Sequence, residues 1–236
     1  MWRAFRCAER SRNAAAGPSG RGASPITWGR WSQANGVVST SDPTPTWLVA
    51  GEVLHRDSLG SEQLIRPGQL NLMTAGNGIA HAEESTGHYQ GWLHGIQLWI
   101  AQPEATRHTS PAFEHFDELP SYDLGGATAT VLVGSFGTAE SSARHDTELI
   151  GIELALRNST AVPLREDFEH ALVVLEGTLH IGGKALSPGQ LGYLRAGRDE
   201  VAIDVTDPAR AMLLGGSPFE EQILMWWNFV ARTRRS

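Results

Sequence analysis

Short apolar runs punctuate the chain from Trp47 onward, separated by glycine, proline, aspartate and asparagine. Runs such as residues 171–175 have the length of a strand, and turn residues recur about every 8 to 12 positions, which is typical of antiparallel sandwiches and barrels. No apolar run approaches the roughly 20 residues that a membrane-spanning helix needs. The pattern therefore predicts an all-β protein without a membrane segment.

An internal repeat indicates that the β structure is built twice. The motif Pro-Gly-Gln-Leu occurs at 67–70 and again at 188–191, and each copy is followed by Ala-Gly at the same distance, at 75–76 and 196–197. Proline followed by glycine favours a tight chain reversal, so each copy predicts a strand, a turn and a strand. Two copies predict two similar barrels.

The first 46 residues have a different texture from the rest. They are rich in arginine, alanine, serine and glycine, and they show neither the alternating pattern of a strand nor the period of a helix. We therefore predict an irregular segment at 1–46, an incomplete N-terminal barrel at 47–125 and a complete C-terminal barrel at 126–236.

Composition narrows the classes of partner. The chain has 236 residues, of which 41% are hydrophobic, and a formal net charge of −7, with its basic residues concentrated near the start. This balance argues against a nucleic-acid surface and favours a small molecule or a protein as partner. Cys7 is the single cysteine, which excludes an internal disulfide and fits a reducing compartment, so we expect a cytoplasmic protein.

The strongest candidate for chemistry is the pair His81 and Glu83. Residues two apart on a strand point to the same face, so an imidazole and a carboxylate stand side by side. That pair suits Fe(II) or a related divalent metal if further ligands converge from another strand. A histidine and a glutamate on a polar surface have the same spacing, and the spacing alone favours that reading.

The sequence around this pair resembles the pirin family. The segments that carry the resemblance are 51–60, 66–68, 73–83, 95–100 and 213–218. The resemblance implies two cupin barrels, a bicupin, with one iron in the N-terminal barrel, held by a His-x-His pair, a later histidine and a glutamate. His81 and Glu83 would be the last two ligands, with Glu83 also a candidate base, and Fe(II) or another divalent transition metal would be the cofactor.

The second copy of the repeat lacks the ligand pair. Shifting by the repeat distance places Ala202 at the position of His81 and Asp204 at that of Glu83. This agrees with a single metal site in the first barrel. His55 shares a strand face with Asp57 near a turn, where we expect it to serve packing or to orient a ligand.

The His-x-His pair is missing. Family spacing places its two members at Val37 and Ser39, and no histidine precedes His55, so metal occupancy is doubtful. A reading-frame error would explain this absence, because the codons of Thr44 and Thr46 overlap a shifted reading of His-x-His. An organellar transit peptide, which is arginine- and serine-rich and poor in acids, is the alternative explanation of the unusual start.

Three functions follow from these residues. The resemblance implies an Fe(II)-dependent oxidoreductase similar to quercetin 2,3-dioxygenase, acting on a flavonol-type aromatic substrate and impaired by the missing ligands. It also allows a metal-responsive transcriptional co-regulator that acts through protein partners without turnover. The third possibility is the product of a damaged gene.

Overall fold

A computed structural model describes residues 3–6, 26–31, 38–40, 44–84, 86, 93–226 and 229–232. Every regular element among these residues is a β-strand, which confirms the all-β prediction. No helix in this part of the chain is long and apolar enough to cross a bilayer. The chain forms two compact units: an N-terminal unit of residues 8–118 and 219–236, and a C-terminal unit of residues 1–7 and 119–218.

The strands follow one another in short steps. In chain order they are β1 (Arg3–Arg6), β2 (Ile26–Trp31), β3 (Val38–Thr40), β4 (Thr44–Ala50), β5 (Val53–Asp57), β6 (Glu62–Ile65), β7 (Leu70–Thr74), β8 (Ile79–Glu84), β9 (Leu93–Leu98), β10 (Ala112–Phe116), β11 (Ser121–Asp123), β12 (Ala127–Val133), β13 (Ser135–Phe136), β14 (Ala139–Glu140), β15 (Leu149–Leu156), β16 (Thr160–Pro163), β17 (Glu169–Glu176), β18 (Leu179–Ile181), β19 (Lys184–Leu186), β20 (Gln190–Leu194), β21 (Glu200–Ile203), β22 (Ala209–Gly216), β23 (Leu224–Trp226) and β24 (Phe229–Ala231).

The N-terminal unit contains a five-stranded and a four-stranded sheet, both antiparallel. The first has the order β10-β7-β4-β9-β2 and the second the order β3-β8-β5-β6, and β23 pairs with β24 beside them. Leu48, Val53, Ile65 and Leu93 form one buried apolar cluster of this unit. A second cluster contains Met73 and Ile79, so apolar packing fixes the strands on either side of a polar interior.

The C-terminal unit is built on a seven-stranded sheet in the order β1-β20-β17-β22-β15-β12-β11, with two-stranded ladders around it. Its interior is a continuous apolar core, in which Leu154, Leu172 and Ile203 are fully buried. Alternate residues along its strands point inward, as expected for sheets with one face on the core.

The two Pro-Gly-Gln-Leu turns are structurally equivalent. Gly68 has φ 88° and Gly189 has φ 87°, a left-handed conformation that glycine adopts without steric cost. In both turns the glutamine Oε1 accepts a main-chain N–H from the residue three positions earlier, at 2.9 Å from Arg66 and 2.8 Å from Ser187. The turns lead into β7 and β20, which occupy corresponding places beside β4 and β17. The predicted duplication is confirmed.

Three strands lie in the segment predicted to be irregular. β1 pairs with β20, β2 with β9 and β3 with β8, and β4 already begins at Thr44. Strand pairing uses main-chain groups that every residue except proline possesses, so a sheet can add strands whose side chains show no alternation. The prediction of irregular structure is therefore wrong for these strands, while the division of the chain at residues 46 and 125 stays a prediction.

Candidate metal centre

β5 and β8 bring the candidate ligands onto one face. The two strands are antiparallel neighbours in which His55 is paired with Glu83 and Asp57 with His81. Residues directly opposite each other in an antiparallel pair point to the same side of the sheet. His81 and Glu83 are thus on one face, as predicted, and His55 joins them from the adjacent strand.

The three side chains present a compact set of donors. One ligand atom from each of His55, His81 and Glu83 lies within 4.8 Å of the other two. The rings of His55 and His81 have their centroids 5.5 Å apart, and both residues are almost completely buried. Nδ1 of His81 is buried and has no hydrogen-bond partner among the described residues. A buried nitrogen without a partner costs free energy unless an ion or a ligand engages it.

Asp57 and Phe113 hold the His55 ring in place. The ring stacks on Phe113 at a centroid distance of 4.4 Å, and its Nε2 lies 3.2 Å from Asp57 Oδ2. Burial opposes ionisation of Asp57, but hydrogen bonds from His55 and from the N–H groups of Ser61 and Leu59 leave its pKa lowered. Because an ionised carboxylate only accepts hydrogen bonds, Nε2 of His55 must donate, and Nδ1 keeps its lone pair for a metal.

Glu83 is oriented from the facing sheet. Its Oε1 accepts hydrogen bonds from Thr46 Oγ1 at 3.1 Å and from Gln97 Nε2 at 3.0 Å. Burial raises the pKa of Glu83, and these two hydrogen bonds act in the opposite direction. Both bonds use the same oxygen, so Oε2 is the oxygen left to coordinate an ion.

Burial favours the uncharged form of both His55 and His81. Burial, followed by the charge of the neighbouring His55 ring, lowers the pKa of His81 to about 4. Burial also lowers the pKa of His55, against the hydrogen bond and charge of Asp57. A metal therefore need not displace a proton from either ring, which is a requirement for binding near pH 7.

The positions of the missing pair offer no imidazole. Ser39 lies on β3, paired with Ala80, and Val37 lies outside the described residues. Thr44 and Thr46 are both buried and line the pocket with the three candidate ligands. The hydroxyl of Thr46 thus contacts Glu83 inside the pocket, in a place from which a longer side chain could reach a metal.

The pocket is small and its walls are partly apolar. Its lining side chains are closely packed and leave no room for a water-sized molecule, and Met73 and Phe113 form its apolar side. Pockets for drug-sized molecules typically occupy about 300 to 1,000 Å³. The structure therefore shows the three candidate ligands side by side, without a cavity that encloses a drug-sized molecule.

The other histidines among the described residues take no part in this donor set. His88 lies outside the described residues, and His108 and His180 are on the surface or near it. His170 is buried in the C-terminal unit, and within the described residues of that unit no three potential ligands cluster. His115 reaches the pocket indirectly, through Asn71. The sequence predicts only a packing or orienting role for His55, because the pairing of β5 with β8, which places His55 opposite Glu83, cannot be read from the sequence.

Comparisons with known proteins agree with this architecture. The model of the pirin family matches residues 43–100, and the model of the pirin C-terminal cupin domain matches residues 149–236. A Pseudomonas aeruginosa protein named "Putative quercetin 2,3-dioxygenase" is 45% identical over 81% of this chain, which spans only 61% of that relative's length. A pirin-like protein of Caulobacter vibrioides is 32% identical over 81% of this chain, and the match spans 68% of that protein's length.

A solved structure gives the same result. The crystal structure of quercetin 2,3-dioxygenase from Acinetobacter baumannii superposes with a TM-score of 0.87 at 36% identity, covering 99% of this chain and 85% of that protein. The predicted bicupin fold is confirmed, and the chain belongs to the pirin family.

Proposed function

We propose that the N-terminal unit binds one divalent transition metal ion through His55, His81 and Glu83. The observation that carries this proposal is the convergence of three donor atoms within 4.8 Å inside a buried pocket. Two imidazoles and one carboxylate are a donor set that suits Fe(II) and leaves coordination positions open. His81 and Glu83 were expected from the sequence, and His55 supplies the third donor.

We expect weaker binding than in a cupin centre with four protein ligands. The chain lacks the His-x-His pair, and His55 replaces only one of its two imidazoles. Removing a single supporting residue around a metal typically costs about 10- to 100-fold in affinity. An absent ligand should cost at least as much.

The activity we propose is that of an oxidoreductase similar to quercetin 2,3-dioxygenase, acting on a small aromatic substrate of the flavonol type. The names of the relatives and the family support this class of reaction. A divalent iron in the site would supply Lewis-acid and one-electron chemistry toward substrate and dioxygen.

The residues around the site have distinct roles in this proposal. Thr46 and Gln97 hold Glu83 by one oxygen, so its other oxygen keeps a fixed direction. Glu83, whose carboxylate lies in the pocket, is also the candidate acceptor for the proton of a substrate hydroxyl. Met73 and Phe113 keep water away from the apolar side of the pocket.

Metal binding by the purified apoprotein tests the site. Anaerobic titration with Fe(II), and in parallel with Co(II), should give about one ion per chain for the wild type. His81→Ala and Glu83→Gln should each weaken binding by at least about 100-fold, because each removes a ligand. His108→Ala removes an exposed imidazole and serves as the control. Unchanged binding by His81→Ala would reject the site.

Turnover tests the reaction. The iron-loaded protein should consume quercetin with uptake of dioxygen, and His81→Ala should not. Stoichiometric iron without consumption of quercetin or of smaller 3-hydroxychromones would reject the enzymatic proposal. That result would leave the metal-responsive regulator as the function to examine by partner binding.

A further inference from the structure

Phe219, Glu221 and Arg232 fasten the C-terminal segment to the rest of the N-terminal unit, and we call these three residues the clasp. Nε of Arg232 donates to Oε2 of Glu221 at 2.7 Å, and the guanidinium carbon lies 5.5 Å from the centre of the Phe219 ring. Arg232 also donates through Nη2 to the main-chain oxygen of Gln102. Oε1 of Glu221 accepts the main-chain N–H of Glu104 at 3.1 Å. The clasp therefore joins both ends of the β23–β24 pair to the loop that begins at Gln102.

The guanidinium of the clasp has little access to water. The side chain of Arg232 is 12% exposed. Hydrogen bonds from the main-chain N–H of Glu104 and from Arg232 lower the pKa of Glu221, so this carboxylate is ionised at neutral pH. Arginine presents its donors in a planar fork, which lets one guanidinium bond Glu221 and Gln102 at the same time. A lysine would keep the charge without that geometry.

The loop that the clasp holds packs against the turn before β8. Inside the loop, the N–H of Thr109 donates to the oxygen of Thr106 at 3.1 Å. The main-chain oxygen of Thr109 accepts the N–H of Asn77 at 3.0 Å, and that of His108 accepts Nδ2 of Asn77 at 2.9 Å. A Cβ on Gly76 would lie 2.1 Å from the oxygen of Thr109, so the turn and the loop are in direct contact.

This turn leads directly into the strand with two of the three proposed ligands. The N–H of Gly78 donates to the oxygen of Ala75 at 2.8 Å, and β8 begins at the next residue, Ile79. His81 and Glu83 follow on the same strand. The first half of β8 also pairs with β3, and β24 lies against β3. The C-terminal segment is thus connected with β8 at its start, through the loop, and along its edge, through β3.

We propose that Glu221 and Arg232 are positioning residues that hold β8, the strand of His81 and Glu83, in the place that metal binding requires. The inference rests on the proposed function, because only three protein ligands converge there and a displacement of β8 moves two of them at once. Two sites that stabilise one conformation of a shared element favour each other by the same factor in both directions. A closed clasp therefore raises the affinity for metal, and bound metal stabilises the clasp.

Metal titration of the full-length protein tests the coupling. Arg232→Gln and Glu221→Gln should each weaken Co(II) binding by about fivefold or more, the lower end of typical coupling between sites. Arg232→Lys should lose less, and the double variant should lose no more than the larger single loss, because the two residues act as one unit. Arg165→Gln is the matched control, since Arg165 also bonds two carboxylates and lies 4.0 Å from the centre of a phenylalanine ring, in the C-terminal unit. Wild-type affinity in Arg232→Gln would overturn the proposal.

The reciprocal measurement separates positioning from a general loss of stability. In the wild type, saturating Co(II) should slow amide hydrogen exchange in β24 by about the factor that Arg232→Gln loses in affinity, since the coupling is the same in both directions. His81→Ala, which lacks a ligand on β8, should show no such slowing. Exchange in β24 that is unchanged by bound metal in the wild type would contradict the proposal.

Hydrogen exchange in the apoprotein decides the structural step without metal. Arg232→Gln should speed exchange of the Asn77 N–H, whose acceptor belongs to the loop that the clasp holds. The N–H of Gly125, which donates to Asp123 in the C-terminal unit, should keep its rate. An unchanged rate at Asn77 would overturn the inference. Failure of the wild type to bind Co(II) would instead refute the proposed metal site, and the Asn77 rate would still decide whether the clasp positions β8.

Discussion

Asp57→Asn offers a sharp test of how His55 is prepared for a metal. Asp57 Oδ1 accepts main-chain bonds from Leu59 at 2.9 Å and from Ser61 at 3.1 Å, and Oδ2 faces His55. Asparagine would keep its oxygen toward the two N–H donors, so its NH₂ group would replace Oδ2. The ring of His55 would then have to accept at Nε2 and carry its proton on Nδ1.

The expected decrease in metal affinity follows from the loss of the lone pair on Nδ1 of His55. Orienting partners of metal-bound histidines typically contribute about 10- to 100-fold to metal affinity, which corresponds to about 1.4 to 2.7 kcal/mol. We expect Asp57→Asn to weaken Co(II) and Fe(II) binding by this factor. The free energy of unfolding of the apoprotein should change by less than about 1 kcal/mol, because both turn hydrogen bonds persist.

Two measurements decide the outcome. Competition titrations give the dissociation constant of the metal, and nitrogen-15 spectra of the imidazole report which ring nitrogen carries the proton. Asp123→Asn is the matched control, since Asp123 also accepts a turn N–H, from Gly125 at 2.8 Å, but contacts no histidine. The reasoning fails if Asp57→Asn binds metal like the wild type, or if affinity falls while the His55 tautomer stays the same.

Three further results are expected. Thr46→His should strengthen metal binding by more than about tenfold by adding an imidazole beside Glu83, while Thr46→Val should not, as metal titrations would show. Burial lowers the pKa of His170 to about 4 from the usual value of 6.5, so protonation of the unfolded chain should destabilise the apoprotein as pH falls from about 6.5 to about 4. Over that pH range, the free energy of unfolding of His170→Leu should fall by up to about 3 kcal/mol less than that of the wild type, and an equal fall in both proteins would contradict this account. Hydrogen exchange should be faster in residues 48–83 than in residues 172–205, because the first interior is polar, and the reverse order would refute this.

Sequence patterns predicted the fold well because the signals were local. The two Pro-Gly-Gln-Leu turns and the apolar runs around them specify a strand, a reversal and a strand within a few residues. The alternation of β8 likewise placed His81 and Glu83 on one face. Each of these predictions needed only the geometry of a single strand or turn.

The third candidate ligand could not be predicted because its position depends on non-local pairing. His55 contacts the site only because β5 lies beside β8 in a register that sets it opposite Glu83, 28 positions later in the chain. No turn connects these two strands, so turn chemistry cannot define their register. The strands β1 to β3 were missed for a related reason, since they pair with distant strands through main-chain groups and show no alternation.

The interiors of the two units differ in polarity. Equivalent turns start β7 and β20, yet the interior of the C-terminal unit is largely apolar, with His170 as a buried exception, whereas that of the N-terminal unit contains Thr46, Asn71 and His81. Burying polar groups without full hydrogen bonding lowers stability, so packing alone would favour apolar residues at these positions. The unpaired nitrogens of Asn71 and His81 are in the same pocket. Under the proposed function, the metal ion would engage His81, and an oxygen ligand of that ion would engage Asn71.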